Sequence, residues 1–341
     1  MRSLTTAPII LATAEERMRS MGFELRPLGG PIGRELVGLD LERDVPAATA
    51  AAVRQAWLDH GMLLVRGPGT SPEAQLRLSR CVGEADFHGD FDKRSLGFHQ
   101  LLPGTLEPHV IPKFRHPDNP DLILLTNKDG PSGPVYEHDG VAIHGRIPWH
   151  SDGAFVTTPN AGAVLRMVQR TRDGGQTGWL DLPAAYDALD DATKVEIEGL
   201  EAVYLFRAGL EEMRFNNPGG RRISPRNDSY PHFPPVAVPL AWTHPETGRK
   251  LLALSTLNID RILGIDRSRS DALIQRLIDH MVQPAFHYIH DWQDGDMVLW
   301  DNRSMLHAAL GHPVDQIRIV HRTTIKGTQA TGRLLDAEEA A

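Results

Sequence analysis

The sequence predicts a mainly β core with flanking helices. Two observations point there. Short apolar runs of strand length recur along the 341 residues, most of them closed by Gly, Pro, Asn or Asp. These runs do not alternate regularly with helical segments, which argues against a parallel βαβ architecture. Neither an internal repeat nor a low-complexity segment is visible.

In chain order, residues 1–22 read as a loose or helical arm. Phe23 to Leu28 and Arg34 to Leu39 alternate as strands around the turn Gly29-Gly30-Pro31. Ala47 to His60 has helical periodicity, with Val53, Trp57 and Leu58 on one face. Met62 to Val65 is a buried strand, and Ser71 caps a helix running to about Cys81. Leu122 to Leu125, Ala163 to Val168 and Thr177 to Leu180 are strands, the last two joined by the turn Gly174-Gly175. Two short helices follow near 182–188 and 191–199, then a polar excursion over 207–235. Lys250 to Leu254 is a strand and Ser268 to Met281 an amphipathic helix. Three strands close the chain: Ala285 to Ile289, Met297 to Trp300 and Arg318 to Thr323. Residues 85–120 and 126–147 read as long connections rich in Gly, Pro, His and Asp. Connections of that length inside a domain usually carry function or are disordered.

Composition narrows the function classes. The net charge of −8 argues against nonspecific nucleic-acid binding. The single cysteine, Cys81, excludes a disulfide framework or a thiolate zinc site, and is expected to be buried. No apolar run reaches membrane-spanning length, so no membrane partner and a cytoplasmic location are expected; a homo-oligomer is left open.

One tripeptide carries chemistry. His150-Ser151-Asp152 lies between the apolar Ile147-Pro148-Trp149 and Ala154-Phe155-Val156. Residues two apart in an extended chain share a side, so His150 and Asp152 can chelate one ion from a strand end. A His-x-Asp arises by chance about once in a chain of this composition. His88-Gly89-Asp90 and His116-Pro117-Asp118 are two more, but the first sits in a polar run and the second runs into the turn formers Asn119 and Pro120. With His307 downstream, two imidazoles and a carboxylate make the ligand set of a non-haem Fe(II) oxygenase. Arg318 and Arg322 follow on one strand face and suit a carboxylate.

Several segments in order resemble the taurine dioxygenase / 2,4-dichlorophenoxyacetate dioxygenase family over about residues 23–327. They are Pro27 to Gly33, Gly38 to Leu41, Gly61 to Gly67, the turn Thr243 to Lys250, and Trp292 to Arg303 leading to His307 and then Arg318 to Arg322. The resemblance implies a double-stranded β-helix, or cupin-like jelly roll, using Fe(II), 2-oxoglutarate and O2. It places His150, Asp152 and His307 on the iron, and Arg318 and Thr177 on the distal carboxylate of 2-oxoglutarate. It places Arg322 near the oxo-acid and the substrate's anionic group. A substrate-contacting histidine of the family falls within the insertion at about 85–148, with His109 and His99 as candidates. The implied activity is oxidation, chiefly hydroxylation, of a C–H bond of a small anionic substrate, coupled to conversion of 2-oxoglutarate to succinate and CO2. A desaturase or ring-forming oxidase is the alternative within the class, and a non-catalytic jelly-roll binding or metal-sensing protein the alternative outside it. Residues 23–327 are expected to form one domain, and 328–341 a tail.

Overall fold

A computed structural model describes residues 14–339 except 68–70, 87–115, 117, 120, 131–132, 208, 216–219, 226–232 and 337–338. Two sheets build the core. The larger runs in the order Glu24–Pro27, Arg34–Val37, Met62–Val65, Met297–Asp301, Gly162–Gln169, Ile319–Ile325 and Ala85–Asp86, with Ile123–Thr126 also paired to Ile319–Ile325. The smaller runs Arg221–Arg222, Val135–His138, Val141–His150, Met305–Pro313, Thr177–Asp181 and His287–His290. Leu165, Val298, Trp300 and Val320 of the larger sheet and Trp179 and Met305 of the smaller share one buried cluster. The architecture is a jelly roll, mainly β with few helices, as expected.

The helices stand where local chemistry puts them. Ala47–His60 packs Val53, Ala56 and Trp57 into a second cluster, which also takes Met18 from the helix Ala14–Ser20. The helix Pro72–Arg80 opens with the Ser71 hydroxyl accepting the Ala74 N–H at 3.1 Å. Cys81 at its end is buried, and burial pushes its thiol up to about 11. The helix Arg267–Met281 seats Leu273, Ile274, Leu277 and Ile278 in a third cluster. That cluster also takes residues of a further sheet, Ile259–Ile262, Glu201–Tyr204, Val236–Pro239 and Arg333–Leu334.

The strands Glu201–Tyr204, Val236–Pro239 and Ile259–Ile262 were not expected, the strand expected from Ala285 begins only at His287, and two further differences lie next to the site. Within 126–147, expected as a long connection, Val135–His138 and Val141–His150 form a hairpin. Its turn residues Asp139 and Gly140 both have positive φ, 50° and 79°. That is the two-residue hairpin turn an Asp-Gly pair favours. Met305–Pro313, which carries His307, was not expected as a strand; it fills the gap between Val141–His150 and Thr177–Asp181. His88, His99 and His109 lie outside the described residues.

Candidate metal and oxo-acid site

A β-bulge aims the first histidine. His150 pairs with His307 across the two strands, but Ile147 pairs with Ala309. Pro148 and Trp149 therefore oppose Ala308 alone. A bulge is a place where a strand tolerates proline, which has no N–H for the ladder. The bulge turns the Pro148 carbonyl toward the ring that follows. His150 Nδ1–H donates to that carbonyl at 2.8 Å. The tautomer is thereby set, and Nε2 keeps its lone pair.

His307 sits beside it, the ring centroids 4.1 Å apart. Burial, reinforced by His150, pushes the His307 pKa down to about 3, so the ring is neutral. Asp152 leaves the strand end two residues on. Asn302 clamps it: Asp152 N–H donates to Asn302 Oδ1 at 2.8 Å, while Asn302 Nδ2 donates to the Asp152 and Asn160 carbonyls at 3.0 Å each. Asp152 Oδ1 lies 3.7 Å from His150 Nε2 and 3.8 Å from His307 Nε2. Its other oxygen, Oδ2, accepts from Arg322 Nη2 at 2.5 Å. Burial works against the Asp152 charge, yet the Arg322 guanidinium holds the carboxyl well below the usual carboxylate range. The arginine thus occupies one oxygen and leaves the other toward the imidazoles. One donor atom from each of His150, Asp152 and His307 lies within 4.8 Å of the others. Two imidazoles and one ionised carboxylate oxygen fit Fe(II).

Arg322 also lies over the Trp300 ring, 5.7 Å from its centroid. Arg318, one strand face along, has a different setting. Among the described residues no carboxylate pairs with it, and burial lowers its pKa to about 10. It lines a cavity of about 360 Å³ with Asn127, Pro134, His144, Ile147, Gly175 and His312, among others. Gly175 has φ of +80°, and a Cβ there would stand 3.4 Å from Arg318 Nε and 2.5 Å from Thr171 Oγ1. The glycine lets the backbone approach the guanidinium closely. Thr177 is buried, and its hydroxyl accepts from Trp292 Nε1 at 3.0 Å. Its own proton stays free to donate.

The fold thus brings His150, Asp152, His307 and Arg322 together and puts Arg318 on a cavity wall. It does not bring His116 to them. That ring stacks edge-on to His321 at 4.9 Å, and its Nδ1 accepts the Asp118 N–H. His321 is buried against Arg166, whose Nη2 lies 2.7 Å from its Nδ1. Trp300 packs 4.9 Å from the His307 ring, and Trp149 packs against Gly178. Asn302, His144 and His312 were given no role from sequence. The motif around Asn302 was visible, but a clamp on a segment 150 residues away is not.

A jelly roll with this two-histidine, one-carboxylate cluster and a partly buried arginine on a nearby cavity defines the class of non-haem iron oxygenases. The comparisons give the family. The description "Taurine catabolism dioxygenase TauD, TfdA family" matches residues 24–324. An (S)-phenoxypropionate/alpha-ketoglutarate-dioxygenase of Sphingobium herbicidovorans is 30% identical, covering 92% of this chain and 98% of that one. An alkylsulfatase of Acinetobacter baylyi is 28% identical, over 91% of this chain and 87% of its own. The solved structure of AAD-2 in complex with Mn(II) and N-oxalylglycine superposes with a TM-score of 0.67 at 25% identity, covering 91% of this chain and 99% of that one. A taurine dioxygenase from Burkholderia xenovorans shares the fold, with a TM-score of 0.67 at 23% identity over 92% of this chain and 95% of its own. The chain belongs to the TauD/TfdA family and is an Fe(II)- and 2-oxoglutarate-dependent dioxygenase. Among the described residues no helix is long and apolar enough to cross a membrane.

Proposed function

We propose that His150, Asp152 and His307 hold the iron, that Arg318 and Thr177 hold the distal carboxylate of 2-oxoglutarate, and that the enzyme hydroxylates a small organic anion. The observation that carries this reading is Arg318, a partly buried guanidinium. It lines a cavity and lacks a carboxylate among the described residues, whereas Arg322 already gives one nitrogen, Nη2, to Asp152. A buried charge without a partner is costly, so its place in the fold calls for an anionic ligand.

With iron and oxo-acid bound, the site supplies the oxidising power to break an unactivated C–H bond as 2-oxoglutarate becomes succinate and CO2. The chain supplies the rest. Pro148 fixes the His150 tautomer, Arg322 keeps Asp152 ionised, and Asn302 holds the Asp152 backbone. Trp179 and Trp300, both wholly buried, close the barrel beneath His307 to water. Phe155, Phe206 and Phe233 pack with centroids 4.7–5.1 Å apart, starting three residues beyond Asp152, and offer an apolar wall.

The anionic substrate rests on Arg322 and on the relatives. Their names specify phenoxypropionate, 2,4-dichlorophenoxyacetate and sulfate esters, all acids or acid esters. Arg322 shares Asp152's oxygen side and is the guanidinium nearest the ligand cluster. We read 23–327 as one catalytic unit in which the insertion at about 85–148 walls the site. Leu125, Thr126, Asn127, Gly133 and Pro134 of that insertion line the Arg318 cavity, which supports the reading. The test is a screen of aryloxyalkanoates, alkyl sulfates and alkylsulfonates for stimulated succinate formation, with product mass read in parallel. A gain of one oxygen, or a product cleaved after it, supports hydroxylation. Stimulation only by neutral compounds, undiminished in Arg322→Ala, would remove the anion.

A further inference from the structure

His144 and His312 form a pair on the cavity wall beside Arg318. His144 stands on the strand Val141–His150 and His312 on Met305–Pro313, directly opposite in register. Their ring centroids are 5.3 Å apart, nearly at right angles. Both are buried, at 6% and 4% exposure.

The hydrogen bonds fix the protons along this pair. His312 Nδ1 lies 3.0 Å from the Pro313 carbonyl, which can only accept, so the proton is on Nδ1. In the neutral ring Nε2 of His312 then carries a lone pair. His144 Nδ1 lies 3.4 Å from that Nε2 and must donate to it. The second nitrogen of His144, Nε2, is left with a lone pair, buried and without a hydrogen-bond partner among the described residues. The ring that carries this acceptor lines the cavity beside Arg318, which has no carboxylate partner among the described residues, so the fold leaves both groups to be satisfied by a ligand.

We propose that His144 completes the carboxylate pocket of Arg318, taking a solvent proton on Nε2 when the oxo-acid binds and donating it to a carboxylate oxygen. This rests on the reading that Arg318 holds that carboxylate. A bare Nε2 lone pair would face an anionic oxygen with repulsion. The protonated ring gives it a charge-assisted hydrogen bond, and Nδ1–H still donates to His312. The groups facing His144 are consistent with an empty pocket that stays unprotonated. Burial, with His312 and Arg318, pushes its pKa down to about 4. On the neighbouring strand Val135 stands opposite, Tyr136 donates to Glu211 at 2.5 Å, and Glu137 pairs with Arg221 at 3.3 Å. No carboxylate of that strand is turned to the ring. Arg146, which also lines the cavity, adds a further cation. An arriving carboxylate reverses the balance and draws the proton in.

The consequence is proton-linked binding of 2-oxoglutarate. Anaerobic calorimetry tests it, adding 2-oxoglutarate to protein already loaded with Fe(II), in two non-phosphate buffers of different ionisation enthalpy at pH 6.0 and 7.5. Wild type should take up more than about half a proton per 2-oxoglutarate at pH 6.0, and its Kd should rise about three- to tenfold by pH 7.5. His144→Gln, which cannot take the proton, should bind more weakly, with uptake near zero and a Kd that no longer responds to pH over that range. A wild-type Kd independent of pH with no proton uptake overturns the proposal, and needs no variant. Arg318→Met separates the underlying reading: wild-type affinity in that variant overturns the Arg318 assignment itself, and with it the pocket His144 would complete.

Discussion

Replacing Arg318 with methionine should make the protein without ligands more stable while greatly weakening its response to 2-oxoglutarate. The magnitude follows from the guanidinium's setting. Burial alone lowers its pKa from the ordinary arginine value to about 10. Each pKa unit is about 1.4 kcal/mol, so the cation costs on the order of 3 kcal/mol in the folded state at neutral pH. Some solvent reaches the residue, so about 1–3 kcal/mol is the range to expect. The sign is that of a base depressed on folding. The penalty is fully present below pH 10 and is relieved only as pH rises past that value. The gain should therefore be equal at pH 6.5 and 8. Methionine fills much of the same volume with apolar atoms and needs no partner. The unfolding entropy is about 2.1 cal/mol/K per residue. For 341 residues, 3 kcal/mol then corresponds to about 4 °C in Tm. Scanning calorimetry of the empty protein, with and without Fe(II) and 2-oxoglutarate, is the assay. With Fe(II) present throughout, wild type should start lower and rise with 2-oxoglutarate; Arg318→Met should start higher and not rise over the same 2-oxoglutarate range. A lower Tm in the variant, or an unchanged rise with 2-oxoglutarate, refutes the reasoning.

Other outcomes follow from the same geometry. His150→Ala, Asp152→Ala and His307→Ala should each lose bound iron and turnover, while His116→Ala, turned to His321, should keep both; iron stoichiometry of the purified variants decides. Asn302→Ala frees the Asp152 backbone and should weaken Fe(II) affinity about 10- to 100-fold, as for other groups that orient a ligand; metal titration reads it directly. Thr177→Val strands the Trp292 N–H and should cost about 1–3 kcal/mol of stability. The same variant should also raise the 2-oxoglutarate KM with less effect on kcat, so denaturant melts and steady-state kinetics check it together.

Much of this site was legible in the sequence because its chemistry is local. His150 and Asp152 are two residues apart, flanked by apolar strand residues, and the Trp292 to Arg303 segment precedes His307 at close range. The strand bearing His307 was not legible. Met305 to Pro313 is built of Leu, Ala, Gly and His, without a β-branched residue, and it is a strand only because partners pair with it on both sides. The hairpin leading to His150 carried its signal in Asp139-Gly140, which the surrounding Gly, Pro and His obscured. The strands Glu201–Tyr204 and Val236–Pro239 are four residues each and owe their pairing to one another. The His144–His312 contact spans 168 residues, and the Arg322–Asp152 pair spans 170. No spacing rule reaches that far. Only the fold shows that Arg322 meets Asp152 while Arg318, four residues earlier, has no carboxylate partner among the described residues.

The central claim is that one iron and one 2-oxoglutarate share the cluster of His150, Asp152 and His307 and the cavity of Arg318. Anaerobic titration of Fe(II)-loaded protein with 2-oxoglutarate, followed in the visible region, tests it most directly. Wild type should develop a weak charge-transfer band that saturates at one 2-oxoglutarate per iron. His307→Ala should show no band, and Arg318→Met should show one only at much higher 2-oxoglutarate. A band of wild-type strength and midpoint in either variant would contradict the account.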